Sequence, residues 1–581
     1  LITGLALVVA GIAAQVFAWR LGWPPLLPLL VFGLVAGPGL QWLAPLYLLG
    51  PVYGPLLSLT LVVLCLDRAL AATSGTLPSP VPPWRLGLVT PILVTLALTG
   101  MTHWALRLSL SHALLVATAL AAITPEAAAT LLRGARARPD ITASALQGAR
   151  LGSAVVALGL LLVLQCNALW QRDPSITTVV RNASLGLAVS IALGWVSARL
   201  LAALMRRGHI SAHLEGSTVI GVCLLAFALV ARLGPEHAYF LPLTLGAVLG
   251  RQRGLRLHRL RSALGQVHTI ALTALVPLVA AQAEWPTTPQ LRIKMGALIV
   301  VTLVAVQPLC ALMALSRTAL RARARTFLAL FAPRGALPLL AVALAPQLVS
   351  IPAEQLSVLH TFTVLFVGAA LLLHTATSWP LAAVLRVRRM RARGVLLIGA
   401  HTLARRLAAA LTSKGLRVVL LDDQPAHLER ARRGFLPVIE GSLPSEEVLQ
   451  QLQVDKLGTV IALSGERERD RLAIDALHPL IADCYQLPSA ASAAQDLHPH
   501  AAPFGNNLDF DTLYEHLAQG YRLTFLAQRS EDVLLDPDDR SIPLLALSPT
   551  GRLRILPEQA GDMSADDALL VLCPPASANK G

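Results

Sequence analysis

From Leu1 to Val387 the sequence is a succession of apolar runs separated by short polar breaks, with run lengths close to the ~20 residues that a helix needs to cross a bilayer. The runs predict about thirteen spans, at 1–19, 24–46, 52–72, 87–105, 112–132, 141–168, 180–204, 216–232, 237–250, 263–283, 293–315, 326–347 and 357–385. The first run has no basic stretch before it and no small-residue cleavage site after it, so it reads as a span rather than a removable leader.

The breaks alternate in charge. Those after the fifth, seventh, ninth, eleventh and thirteenth runs carry Arg133/Arg136/Arg138, Arg206/Arg207, Arg251/Arg253/Arg256/Arg259/Arg261, Arg317/Arg321/Arg323/Arg325 and Arg386/Arg388/Arg389/Arg391/Arg393, whereas the intervening breaks are poor in charge. Short cytoplasmic loops are enriched in Lys and Arg. The basic side is therefore assigned to the cytoplasm, together with everything after Arg393, and an odd number of spans leaves the N-terminus outside.

After Arg393 the period changes. Gly394–Gly399 reads as a buried strand, 402–414 as a helix and Arg417–Asp422 as a second strand. A helix (427–433), strands at 436–439 and 458–463, a helix near 468–482 and a short strand at 484–487 follow. Strands alternating with helices imply a parallel, doubly wound sheet. Residues 488–507 read as a linker. Apolar runs at 532–535, 542–547, 553–556 and 568–573 predict a small, mainly β module. The expected domains are thus 1–390 in the membrane, 394–488 Rossmann-like and 505–581 β-rich.

Composition supports this division. Only 14% of the 581 residues are charged, 55% are hydrophobic and mean hydropathy is +0.62, which excludes an ordinary soluble enzyme. The net charge of +15 separates into a basic membrane half, holding only eight acids before residue 395, and an acidic C-terminal half. This argues against nucleic acid as a partner and for a lipid bilayer. The six cysteines stand apart with no C-x-x-C pair, so neither a disulfide framework nor a metal cluster is indicated.

Ionisable or helix-breaking groups inside a bilayer are costly and are functional candidates by default. Thr124-Pro125-Glu126 lies mid-run, where Pro125 removes a backbone donor and unwinds the helix, exposing carbonyls and a second half-helix N-terminus capped by Thr124. The alternative is an N-cap for a helix that starts at the membrane surface. Arg334, between Pro333 and Pro338, is either a fixed charge tuning an ion site or a structural Arg tied to carbonyls of an unwound turn. Asp67-Arg68 reads as a transport carboxylate with its partner or as an interfacial, snorkelling pair, and Arg150 carries the same ambiguity.

The combination of Ala332-Pro333-Arg334-Gly335 in a late run, the Thr124-Pro125 break, and Gly394-Val-Leu-Leu-Ile-Gly-Ala400 entering a dinucleotide-type fold resembles the monovalent cation:proton antiporter (sodium/hydrogen exchanger) family, in the subgroup fused to a TrkA-N-like domain. The resemblance implies an inverted-repeat helical fold with crossed, unwound helices and a homodimer. It also implies exchange of Na⁺ or K⁺ for H⁺ across a bacterial inner membrane in the service of pH homeostasis, with no enzymatic activity. It further implies an acidic pair in the sixth span. There this chain has Gln147 at the Glu position and Gly152, with Ser153 beside it, at the Asp position. None of these titrates in the working range, whereas competition between cation and proton needs a group that does. Two substitutes are available: Glu126, balanced by Arg150 or Arg334, or Asp67. The alternative is a non-transporting membrane sensor or scaffold.

In the C-terminal half, Gly399-Ala400-His401-Thr402-Leu403-Ala404 partly matches G-x-G-x-x-G/A, with Gly399, Ala404 and the ribose-type acid Asp422 in place but His401 at the second glycine. The expected cofactor is a nucleotide such as NAD, with a fold retained for regulation as the alternative. No P-loop sequence is present. His498-Pro499-His500 reads as a solvated loop rather than a metal site, and the tail resembles the small ligand-sensing module that follows TrkA-N domains.

Overall fold

The computed structural model describes residues 2–42, 49–73, 79–211, 214–252, 258–286, 288–318, 320–388, 394–443, 445–452, 457–478, 481, 483–487, 509–527, 542–548, 553–556 and 567–574. The chain folds as two compact units, one formed mainly by residues up to Arg388 and the other by Arg389–Gly581.

The first unit is built of helices joined by short non-helical stretches among its described residues. Its helices are α1 (Ile2–Leu21), α2 (Leu26–Leu34, continued by a π-turn at Val35–Gly39), α3 (Tyr53–Thr73), α4 (Thr90–Leu106, preceded by a π-turn at Arg85–Val89), α5 (Leu110–Leu120), α6 (Pro125–Ala135), α7 (Pro139–Arg172) and α8 (Ile176–Arg206). They continue with α9 (Glu215–Ala231), α10 (Pro235–Ala238), α11 (Phe240–Gly250), α12 (His258–Ala281), α13 (Pro289–Val301, followed by a π-turn at Thr302–Val306), α14 (Gln307–Ala314), α15 (Ala322–Leu330), α16 (Ala336–Leu348) and α17 (Ala353–Val384).

Each predicted run is occupied by one of these helices, by a helix with its π-turn, or by a pair of helices. Among the described residues, seven helical stretches are individually long and apolar enough to cross a membrane, and α5 with α6 make an eighth, bent by 43°. A large core of Leu, Val, Ala and Phe runs through the unit, with a second cluster around α6, the start of α7 and α15, while residues such as Trp19, Leu225 and Ile176 stand exposed as a lipid-facing surface would have them. Arg261, expected in a basic loop, is instead part of α12.

The second unit begins with β1 (Gly394–Ile398), α18 (Thr402–Ser413), β2 (Val418–Asp422), α19 (Pro425–Arg433), β3 (Val438–Glu440), α20 (Glu446–Gln451), β4 (Leu457–Ala462), α21 (Arg467–Leu477) and β5 (Asp483–Gln486). These strands form one parallel sheet in the order β3-β2-β1-β4-β5, the doubly wound arrangement that the alternating pattern predicts. A second, antiparallel sheet, β6-β9-β7-β8, is built from β6 (Arg522–Ala527), β7 (Ile542–Leu547), β8 (Leu553–Ile555) and β9 (Ala568–Cys573). The sequence reading missed its first strand and the preceding helix α22 (Phe510–Ala518). The apolar run at 532–535 and the whole of the expected linker at 488–507, with its His498-Pro499-His500 stretch, lie outside the described residues.

Candidate ion-translocation site

Proline places both interruptions in the helical unit. Pro125 has no N–H and disfavours helical geometry in the residue before it, so Thr124 is extended (φ −95°, ψ 127°) between the end of α5 and the start of α6. A second break separates α15 from α16, where Phe331–Gly335 run extended around Pro333.

The two breaks cross. The Thr124 N–H donates to the Pro333 carbonyl at 3.1 Å, and its hydroxyl donates to the same oxygen at 3.4 Å. In return Arg334 Nη1 donates to the Ala121 carbonyl at 2.9 Å and Nη2 to Gln307 Oε1. On the other side the Ala332 N–H donates to His374 Nε2 at 2.9 Å, while His374 Nδ1 donates back to the Ala370 carbonyl at 2.5 Å, which fixes the tautomer. Each backbone group freed by unwinding and engaged in this way escapes the several-kcal/mol cost of an unsatisfied group in hydrocarbon.

The break expected at Thr124-Pro125 is therefore present and buried, not a surface cap. One detail differs: the Thr124 side chain does not cap α6, because its hydroxyl is turned across the crossing to Pro333. Arg334, 1% exposed, follows the structural alternative. Its charge faces the C-terminal carbonyl end of α5, where the helix dipole is negative, and an amide rather than a carboxylate. Gln307 reaches it from the turn that follows the π-turn in Thr302–Val306, and such turns re-aim side chains at functional sites.

Glu126 stands in the first turn of α6, beside the crossing, where a negative charge also suits the helix N-terminus. Its partner is neither Arg150 nor Arg334. Arg68, buried to 1%, binds it at 2.5 Å, while the Glu126 side chain remains 53% accessible. Arg68 and Asp67 are thus not an interfacial, snorkelling pair. Asp67 lies within the electrostatic field of Arg68, Glu126, Arg261 and Arg150, and His268 lies in that of Glu126. The structure thereby gathers two acids and three arginines from α3, α6, α7 and α12.

The sixth-run positions are different in kind. Gln147 is 7% exposed, and Ser153 Oγ turns back to donate to the Arg150 carbonyl at 3.0 Å. Gly152 backs onto Gly87 of the Arg85–Val89 π-turn, so that a Cβ at 152 would meet the Gly87 Cα at 3.3 Å and its carbonyl at 3.4 Å. Gln307, His374, Arg261 and His268 were not singled out from sequence as site residues. The usable signal was the rule applied elsewhere, a polar group within an apolar run.

Residues 4–383 match the family described as sodium/hydrogen exchanger, transmembrane, and residues 395–496 match the TrkA-N domain. The chain belongs to the sodium/hydrogen exchanger family. It is accordingly a multi-pass membrane transporter of the antiporter type, not an enzyme, with a C-terminal soluble Rossmann-type domain of the nucleotide-binding class. Among solved structures it is similar to the sodium proton antiporter MjNhaP1 from Methanocaldococcus jannaschii at pH 8, at 15% identity and a TM-score of 0.52, over 64% of this chain and 98% of that one. An electron-microscopy map of the same antiporter gives 16% identity and a TM-score of 0.47 over 66% of this chain and 95% of that one. A search of curated proteins found no match.

In the exchanger's soluble unit, Gly399 ends β1 with φ +104°, a conformation that favours glycine. Ala404 is buried in α18, and His401 precedes that helix with Nε2 donating to the Leu463 carbonyl. Asp422 closes β2 and accepts from the Ala400 N–H at 2.6 Å, the Asp423 N–H at 2.8 Å and the Gln424 N–H at 3.0 Å. Burial opposes its charge, but the backbone donors of Gln424 and Ala400, with His427 beside them, hold its carboxyl below the usual range.

Proposed function

We propose that this exchanger retains proton-coupled transport of a monovalent cation, Na⁺ or K⁺, with Glu126 and Asp67 in the role that the sixth run has lost. One observation supports the reading: the accessible Glu126 carboxylate stands two residues beyond Thr124 of the crossing, in the field of Asp67 and held by a buried Arg68. A carboxylate pair sharing positive neighbours can exchange a proton for a cation, because binding of either changes the charge that the arginines balance. The protein then sits as a homodimer in a bacterial inner membrane, with its TrkA-N unit in the cytoplasm acting on transport and cytoplasmic pH as the regulated quantity.

The test is collapse of a preformed pH gradient in inverted vesicles on addition of Na⁺, K⁺ or Li⁺ between about pH 6 and 9. Exchange is expected from the wild type and lost in Glu126→Gln and Asp67→Asn. No cation-induced collapse at any pH would sink the reading. A specific observation favours the second reading, a non-transporting sensor or scaffold: Gln147, Gly152 and Ser153 supply no carboxylate, and Gly152 is closed off by Gly87. A gradient left intact by every cation in the wild type and in both variants would establish it, whereas equal collapse in all three would show exchange that uses neither acid.

A further inference from the structure

Ligands of doubly wound sheets bind in the crevice beyond the strand C-termini, where the strand order reverses. Here that place lies between β1 and β4, bounded by Gly399-Ala400-His401 on one side and Leu463-Ser464-Gly465 on the other. A dinucleotide needs three things there: close backbone approach at the second glycine, a free acid at the end of β2, and an open crevice.

None of the three is available. The second glycine is His401, whose imidazole spans the crevice to the Leu463 carbonyl and is 9% exposed. Phe510 lies against that ring, edge to face, with centroids 5.0 Å apart. The same phenyl group covers Gly465, where a Cβ would meet its Cε1 at 3.2 Å. Phe510 therefore touches both walls.

The acid is also engaged. An ionised carboxylate offers about four lone-pair sites, and Asp422 meets four hydrogen-bond donors: one oxygen faces the Asp423 and Gln424 amides, and the other the Ala400 amide and His427 at 3.1 Å, with the Arg469 guanidinium 3.5 Å from the first oxygen as an ion pair. A ribose hydroxyl could reach Asp422 only by displacing one of these donors, of which His427 is the partly exposed side chain.

Phe510 is not a loosely placed side chain. It opens α22, whose Leu513 and Leu517 are 1% and 5% exposed within a core shared with β1, α18 and the antiparallel sheet. Arg406 of α18 donates to the Leu517 carbonyl at 3.4 Å and to the Tyr521 carbonyl at 3.3 Å, tying the end of α22 to the helix that a pyrophosphate would face. Asp509 caps α22 by accepting from the Thr512 N–H at 2.8 Å, which fixes where Phe510 begins.

From this geometry we infer that the nucleotide crevice of the TrkA-N unit is filled by its own chain, with His401 and the Phe510 ring as its resident occupants, so that the exchanger binds no dinucleotide or adenine nucleotide while α22 is docked. The unit then signals through the docking of α22 rather than through a bound nucleotide. This does not depend on whether ion exchange persists.

The experiment uses the full-length protein in detergent, titrated with NAD⁺, NADH, ATP and ADP by calorimetry, with hydrogen exchange followed over residues 399–404 and 463–466. The wild type is expected to give no saturable heat. His401→Gly/Phe510→Ala is expected to bind NADH at least about tenfold more tightly than the wild type. Phe510→Ala alone is expected to raise exchange in both loops without added nucleotide. Saturable micromolar binding of a nucleotide by the wild type would overturn the inference. So would a double variant that stays folded and binds nothing, since these two side chains would then not be what closes the crevice. Should the double variant fail to fold, the exchange of Phe510→Ala decides: unchanged protection of the two loops would overturn it.

Discussion

Gly335 lies so close to Thr124 that a Cβ at position 335 would collide with both Thr124 Cγ2 and Thr124 Oγ1. The two broken helices touch at this point, and the only residue that fits is one without a side chain. Gly335→Ala is therefore expected to force the stretches apart, at an overpacking cost of about 1–3 kcal/mol, and to remove exchange. The readouts are the melting temperature of the detergent-solubilised protein and the vesicle assay. Unchanged values for both would show that the crossing yields without consequence.

Arg334 joins two acceptors, the Ala121 carbonyl and the Gln307 amide. A guanidinium presents donors in a fixed fork, whereas a lysine ammonium is a single compact charge. Arg334→Lys is expected to lower thermal stability, with one acceptor left unpaired at about 1–3 kcal/mol. Gln307→Leu is expected to do the same from the other side. The two together should cost less than their sum if the pair acts as one unit.

Arg68 is balanced by Glu126 directly and by Asp67 through its field. Either Glu126→Gln or Asp67→Asn leaves one carboxylate for the buried guanidinium, but the double variant leaves none. Removing the partner of a buried charge costs about 3–5 kcal/mol. The loss in the double variant is expected to exceed the sum of the singles by about 0.5–3 kcal/mol, read in thermal melts. Simple additivity would mean that the two acids do not share Arg68.

Gly152→Asp restores the residue type that the family resemblance implies, yet the new Cβ would press on the Gly87 backbone at 3.3 Å. The variant is expected to fold less stably than the wild type and not to gain exchange in the vesicle assay. Exchange that appears only in Gly152→Asp would reassign the site to α7.

Asp470 supplies a pH dependence in the soluble unit. Burial, at 2% exposure, pushes its carboxyl up to about 7, although the Ser464 N–H bonds and Arg469 oppose the shift. Between the unfolded value near 3.8 and the folded value near 7 the folded state holds more protons than the unfolded one, so this group's contribution to stability falls as pH rises through that window. Hydrogen exchange over residues 457–477 is expected to quicken from pH 5 to 7.5 beyond the chemical rate. Asp470→Asn is expected to remove the difference.

The sequence carried the architecture because bilayer crossing imposes length and loop charge, and βα alternation imposes a parallel sheet. It also carried the break at Thr124-Pro125, since proline acts locally. Partners were not legible in the same way. Glu126 looked free to choose Arg150 or Arg334, and its choice of Arg68 depends on how α3 packs on α6, which no local pattern encodes. Gln307 and His374 sit in runs whose apolar majority hid them. Helix α22 was overlooked although Phe510, Leu513, Tyr514, Leu517 and Ala518 recur at helical spacing behind Asp509, and its role depends on a contact with His401 more than a hundred residues away.

The Thr124–Pro333 contact spans 209 residues of sequence. During synthesis α5 and α6 enter the bilayer long before residues 331–335 exist, so the Ala121 carbonyl and the Thr124 N–H wait without their final partners. The crossing closes only when the last helices arrive. A chain that ends after α6 but before Pro333 keeps the Thr124 N–H and the Ala121 carbonyl without the Pro333 and Arg334 groups that pair with them.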